Sequence, residues 1–238
     1  MPIQPTAKHR TYAVSLIAAL ALGGGLLTGC SAASGNASAE APPAVVSPAM
    51  AAHHNGNMTE EGTQIALYSA MRTLWDQHMQ WTYDTVVAFA ADSPGLQPTL
   101  DRILSNQVDI GNAIAPYYGD AAAAQLTDLL TTHIKEAVPV LTAAKAGDTP
   151  GLNKAVQAWY ANAQDIGDFL AKANPNWKKS DMRSMMKAHI TQTIEYASDI
   201  LTGNYAKAIA DYDTAQAHMA EMADMLSQGI IAQFPDKF

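Results

Sequence analysis

The chain repeats one two-helix pattern three times, and this repeat limits the folds that are open to it. A histidine that follows large apolar residues recurs along the chain, at His78, His133 and His189. A polar segment follows each histidine after 28 residues (78 to 106) or 29 residues (133 to 162, 189 to 218). We call these the answering segments, and their first residues, Asn106, Asn162 and His218, the answering residues. A fixed period of this size predicts tandem helical hairpins, each too small to bury its own apolar face.

The apolar residues beyond Thr59 follow helical spacing, and the sequence has no strand pattern in this region. Residues that start and end helices divide it into six helices, with Thr149-Pro150 and Ser180 as starts and Pro116 as an end. The expected bounds are about 60–91, 98–115, 121–146, 149–173, 180–203 and 204–234. The sequence therefore predicts an all-α domain over residues 59–238, in which three tandem αα-hairpins form either a closed helical bundle or a short solenoid.

The first 30 residues have the layout of a bacterial lipoprotein signal. Lys8 and Arg10 precede an apolar run from Tyr12 to Leu27, and Leu27-Thr28-Gly29-Cys30 forms a lipobox. This pattern predicts a signal peptide over residues 1–29 and a diacylglycerol anchor on Cys30, which is the one cysteine of the chain. The alternative is a signal-anchor helix with an incidental cysteine, although the apolar run is short for a membrane span.

Residues 30–58 are expected to form the lipidated cysteine and a flexible linker, because Ala, Ser, Gly, Pro and Asn dominate there and large apolar residues are scarce. His53 and His54 lie in this segment between Met50 and Met58. They could hold a metal ion weakly, or they could be exposed polar residues without a role.

The net charge of the chain is unfavourable for nucleic-acid binding. Residues 1–29 contain two of the 14 Lys and Arg residues and none of the 22 Asp and Glu residues, so their removal changes the formal charge from −8 to −10. Such a surface repels nucleic acid and anionic lipid headgroups. We therefore expect an exported protein with its domain outside the cytoplasm, held at the cell membrane or outer membrane by its acyl anchor.

One hypothesis for the repeated polar residues is structural. A buried imidazole has one nitrogen that donates and one that accepts, so it needs partners on a neighbouring helix. Each histidine could bond across its own hairpin, His78 to Asn106 or Asp109, and His133 to Asn162 or Asp165. The protein would then be a structural or protein-interaction lipoprotein without a ligand.

The other hypothesis is functional, because helical bundles assemble metal sites from side chains that point inward from several helices. The candidate ligands are His78, His133, His189, His218 and Glu221, with Asn106, Asp109, Asn162 and Asp165 as supporting polar residues. Neutral imidazoles with a carboxylate would suit zinc, copper or iron. Methionines near His189 and His218 would favour copper, although methionine at helical spacing also serves as core filler.

The sequence has no catalytic constellation that we recognise. It contains no HExxH motif, no Gly-rich phosphate loop after a strand, no nucleophile elbow and no cysteine nucleophile in the helical domain. The sequence therefore favours a binding role, for a metal ion or a small ligand, or a structural role, over an enzyme.

Several short segments carry a family resemblance: Leu74-Trp75-Asp76-Gln77-His78-Met79-Gln80-Trp81-Thr82, Tyr117-Tyr118-Gly119-Asp120, Ala143-Ala144-Lys145-Ala146-Gly147-Asp148, Trp159-Tyr160-Ala161-Asn162 and Gln233-Phe234-Pro235. Together they resemble an uncharacterised bacterial family of exported helical proteins, some of which are automatically labelled glycosyltransferases. The resemblance covers residues 70–238 and implies a helical exported domain. It implies no catalytic residues.

Overall fold

A computed structural model describes residues 59–238 of the chain, which form six α-helices joined by short loops. The predicted signal peptide, Cys30 and the linker with His53 and His54 lie outside the described residues. The helices are α1 (Glu60–Ala90), α2 (Leu96–Tyr118), α3 (Asp120–Ala146), α4 (Thr149–Ala173), α5 (Lys179–Leu201) and α6 (Tyr205–Gln233), followed by a single 3₁₀ turn (Pro235–Lys237). The prediction of an all-α fold is confirmed.

The helix bounds agree with the sequence to within a few residues, and the differences have local causes. The side chain of Asp148, rather than that of Thr149, caps α4 by accepting a hydrogen bond from the Gly151 amide. Ser180 lies inside α5, whose N-cap is Lys178. Pro116 lies in the last turn of α2 and does not end it; the helix lacks one backbone hydrogen bond at this proline and continues to Tyr118.

The six helices form a closed ring. Each helix packs against its neighbours in sequence, and α1 also packs against α6. Because the connecting loops are only one to five residues long, consecutive helices run antiparallel. The helices of odd number, which carry the repeated histidines, therefore all run in one direction. This arrangement is a bundle with threefold pseudo-symmetry, not an open solenoid.

Matching ion pairs join neighbouring hairpins around the ring. The Arg183 guanidinium of α5 binds Asp168 of α4 through two hydrogen bonds, with Nη2 2.7 Å from Oδ2. At the matching positions of the repeat, Arg72 of α1 binds Asp224 of α6 in the same way, with Nε 2.6 Å from Oδ1. The contact between the last hairpin and the first therefore repeats the contact between the second and the third.

Glycine permits the close approach of successive hairpins. A Cβ atom on Gly111 of α2 would lie 2.0 Å from Oγ1 of Thr127 on α3. A Cβ atom on Gly167 of α4 would lie 3.0 Å from the backbone nitrogen of Arg183 on α5. These two glycines occupy matching positions of the answering segments, so the repeat encodes contacts between hairpins as well as contacts within them.

None of the helices within residues 59–238 combines the length and the apolar character needed to cross a bilayer.

Candidate functional site

Three imidazole rings meet in the interior of the bundle. His78 on α1, His133 on α3 and His189 on α5 are each at most 2% exposed. The centroid of the His189 ring lies 5.6 Å from that of His78 and 5.6 Å from that of His133. We call these residues the histidine cluster. The matching position of each histidine in its hairpin places the three rings at a similar height in the bundle.

The histidine cluster is uncharged near neutral pH. Burial lowers the pKa of His78 to about 3 and that of His133 to about 4. Burial also lowers the pKa of His189 well below its usual range, and the neighbouring imidazoles of His78, His133 and His218 lower it further. Each ring therefore keeps one unprotonated nitrogen with a lone pair that can accept a hydrogen bond.

The tautomer of His133 follows from its contact with α4. The Asn162 amide donates through Nδ2 to the carbonyl of Leu129, at 3.1 Å, so its Oδ1 is the atom that faces His133. The distance from His133 Nδ1 to this oxygen is 2.9 Å, and an amide oxygen can only accept. Nδ1 therefore carries the proton and Nε2 carries the lone pair. The predicted bond between His133 and Asn162 is present.

Two ring nitrogens of the histidine cluster lack partners. Nε2 of His133 and Nδ1 of His189 are buried and have no hydrogen-bond partner among residues 59–238. His78 differs, because its Nδ1 lies 3.4 Å from Nε2 of Gln107. Buried polar atoms are normally bonded, so two orphaned nitrogens in adjacent rings indicate a place where a further molecule could bind.

The answering residues form the same type of hydrogen bond in all three hairpins. Each donates to the carbonyl that lies four residues before the cluster histidine of its own hairpin, at 3.0 Å, 3.1 Å and 3.0 Å, through the pairs Asn106 to Leu74, Asn162 to Leu129, and His218 to Met185. His218 must use a protonated Nε2 here, because a carbonyl oxygen only accepts. His218 is half-buried, lies beside the histidine cluster and takes the place of an asparagine.

The carboxylates proposed as oxygen ligands lie on the outside of the bundle. Asp109, Asp165 and Glu221 are exposed, and the nearest cation to Asp109 is Arg102, at 3.6 Å. Each of them follows a buried or half-buried answering residue by three positions, which rotates its side chain away from the interior. They do not join the histidine cluster. Within the described part of the chain, no group of three or more His, Cys, Asp or Glu side chains is arranged to hold a metal ion.

Two small cavities adjoin the histidine cluster. The first, of about 40 Å³, borders all three histidines and is lined by residues of α1 to α5, mostly of α1 and α3; we call it the histidine cavity. The second, of about 80 Å³, lies between α1, α3, α4 and α5 and extends toward Leu152 and Leu201; we call it the apolar cavity. Both are bordered by the same six residues, Thr82, Val86, Ala137, Leu141, Trp159 and Thr193.

The cavities lie beside a position at which the second hairpin departs from the repeat. Thr82 and Thr193 follow their cluster histidines by four residues, and each hydroxyl donates to the carbonyl of that histidine. The matching residue of the second hairpin is Ala137, which is smaller. Because both threonine hydroxyls are already bonded to their own helices, the walls near the histidines are largely apolar.

Several residues of the site are not among those predicted from the sequence. Gln107 contacts His78 and is completely buried, although the matching residues of the other hairpins are Ala163 and Met219. The rings of Trp75 and Trp159 pack on His78 and His133, with centroids 5.6 Å and 5.3 Å apart. Gln107 and Ala137 are positions at which one hairpin departs from the repeat, and this departure is visible in the sequence.

The comparisons with known proteins give no relative. The chain matches no protein-family model, no curated protein and no solved structure. The resemblance of residues 70–238 to an exported helical family therefore stays a prediction, and the function must be argued from the geometry.

Substitution of Asn162 tests the role of the answering residues. Asn162→Ala removes two bonds and leaves the Nδ1 proton of His133 buried without its acceptor. We expect the free energy of unfolding to fall by about 2 kcal/mol, measured by urea denaturation. Asn153→Ala, an exposed change on the same helix, should alter it by less than about 0.5 kcal/mol. Equal effects of the two changes would contradict this role.

Proposed function

We propose that this protein is a lipid-anchored, exported binding protein that holds a small molecule beside the histidine cluster. The observation that carries the proposal is the pair of orphaned nitrogens, His133 Nε2 and His189 Nδ1, in two histidines that border a cavity. A bundle held together only by its core would gain stability from apolar residues at these positions, because an unpaired buried polar group costs about 1 to 3 kcal/mol. A bound molecule would offset that cost.

The export and anchoring in this proposal are supported by the sequence alone. The lipobox that ends at Cys30 and the composition of residues 31–58 would attach the helical domain to a membrane surface through a tether. A binding protein in this position would meet molecules outside the cytoplasm.

A transition-metal ion is the second candidate ligand. Three adjacent neutral imidazoles are a donor set that suits zinc or copper, and Asn162 orients His133 as an outer hydrogen-bond partner orients a metal ligand. The rings would have to rotate to direct their lone pairs at one point, because no such metal-holding group exists among the described side chains.

A scaffold role without a ligand is the remaining alternative. It is favoured by the three matching bonds from Asn106, Asn162 and His218, which fix the pairing of helices in each hairpin. Those bonds do not use the orphaned nitrogens of His133 and His189, so this alternative leaves these two atoms unexplained.

One preparation separates the three alternatives. The full-length protein would be extracted from membranes in detergent, without a histidine tag, and studied by native mass spectrometry and metal analysis beside Ala137→Leu. We expect one small organic molecule per chain, absent from Ala137→Leu because leucine fills the space beside the histidines. One metal ion per chain that is lost in the His133→Ala, His189→Ala double variant would favour the metal. A protein that carries neither would overturn the proposal in favour of the scaffold.

A further inference from the structure

The histidine cavity and the apolar cavity share six lining residues and are therefore direct neighbours. Separately, at about 40 Å³ and about 80 Å³, they are small. An apolar cavity of about 150 Å³ is known to accept benzene. The two cavities together approach that size once side chains at their boundary move slightly, so a molecule built on one six-membered ring is the largest that fits.

The side chains that line the two cavities restrict the polarity of a ligand that could bind there. Val86, Leu141 and Trp159 border both cavities, and the hydroxyls of Thr82 and Thr193 are bonded to carbonyls of their own helices. The buried polar atoms of the lining that have no partner among residues 59–238 are Nε2 of His133, Nδ1 of His189 and the donor Nε1 of Trp159. Polar ligand atoms that reach none of these three would lose their contacts with water and gain nothing in return. A charged organic molecule is disfavoured for the same reason, because the described residues around the cavities offer no opposite charge.

The histidines determine where one polar atom of the ligand belongs. Nε2 of His133 holds a lone pair, since Nδ1 donates to Asn162, so the polar group that pairs with it must be a donor. His133 borders the histidine cavity beside Trp159, whose ring lies 5.3 Å away and offers an aromatic wall. Aromatic rings stack or meet edge to face at such separations.

We infer that the two cavities bind one uncharged molecule the size of a single aromatic ring, whose hydroxyl or N–H group donates a hydrogen bond to Nε2 of His133. This inference rests on the proposed function and names the class of its ligand. Phenol is the simplest member of the class. Toluene has the same shape without the donor, and glycerol has donors without the ring.

Isothermal titration calorimetry of the full-length protein in detergent with these three probes tests the inference. We expect one phenol per chain, toluene binding about fivefold weaker through the loss of one hydrogen bond, and no binding of glycerol. Ala137→Leu should abolish phenol binding and keep the fold, since leucine fills space that is open in the native protein. Ala124→Leu, the same change at an exposed site of α3, should bind phenol normally.

The other outcomes separate this inference from the proposed function. If toluene binds as well as phenol, no hydrogen bond to His133 contributes to binding. If phenol still binds to Ala137→Leu, the binding site lies elsewhere. Either result overturns the inference, as would binding of glycerol or of no probe. If the protein from membranes nevertheless carries a molecule that Ala137→Leu lacks, the proposed function stands with another ligand class. If that molecule is also absent, both fail.

Discussion

Acidification from pH 7.5 to pH 5 should remove about 6 kcal/mol from the free energy of unfolding. The pKa values of His78 and His133 are lowered by burial from the usual 6.5 to about 3 and about 4, and that of His189 is lowered as well. Below pH 6.5 the unfolded chain takes up protons that the folded chain excludes. Stability is therefore complete above about pH 6.5 and falls by about 1.4 kcal/mol per pH unit for each histidine as the pH drops toward the folded pKa values.

Urea denaturation at half-unit steps between pH 7.5 and pH 5 measures this slope. The three histidines together should give roughly 4 kcal/mol per pH unit below pH 6.5, and His189→Gln should remove about a third of it. The ion pair of Asp168 does not interfere, because bonds from Arg183 and Lys179 lower the pKa of that carboxyl to about 2, so its effect is confined to more acidic solutions. A stability that stays flat over this range would contradict the burial of the histidine cluster.

The exchange of Gly229 for alanine should destabilise the bundle by about 3 kcal/mol. A Cβ atom on Gly229 would lie 1.9 Å from Nε1 of Trp177 and 2.6 Å from its Cδ1. Trp177 is 3% exposed and its Nε1 donates to the carbonyl of Met225, so the indole cannot move without giving up buried area and that bond. Loss of such packing costs more than the roughly 1 kcal/mol that alanine gains over glycine in a helix.

A double-mutant cycle with Trp177→Leu isolates the contact. With the indole absent, the added methyl group has room, and Gly229→Ala should become neutral or stabilising by up to about 1 kcal/mol. Thermal or urea unfolding of the four proteins gives the coupling energy. A cost that is the same in both backgrounds would show that the methyl group does not meet Trp177.

The sequence predicted the hairpins and the inward direction of three histidines because helical periodicity records which residues face the core. His78, His133 and His189 share a stripe with large apolar residues, and all three are buried. The choice between a bundle and a solenoid was out of reach, since both use the same hairpins. It is decided by contacts between the first and last helices, such as the pair of Arg72 with Asp224.

The composition of the site was harder to predict than the fold. A residue three positions after an inward one is turned by about 60° from it, which is enough to place Asp165 outside while Asn162 stays buried. His218 is paired with the carbonyl of Met185, whereas the sequence placed it among the candidate metal ligands. The cavities depend on side-chain volumes from four or five helices, and no local pattern contains that information.

The neutrality and adjacency of the three buried imidazoles can be measured directly by long-range ¹H–¹⁵N spectra of the histidine rings. At pH 6, where a histidine in water is mostly protonated, His78, His133 and His189 should each keep one protonated and one unprotonated nitrogen, and the proton of His133 should reside on Nδ1. Cross-relaxation should link the His189 ring to the other two. Titration of all three near pH 6.5, as for histidines in water, would contradict the interior site on which the proposed function depends.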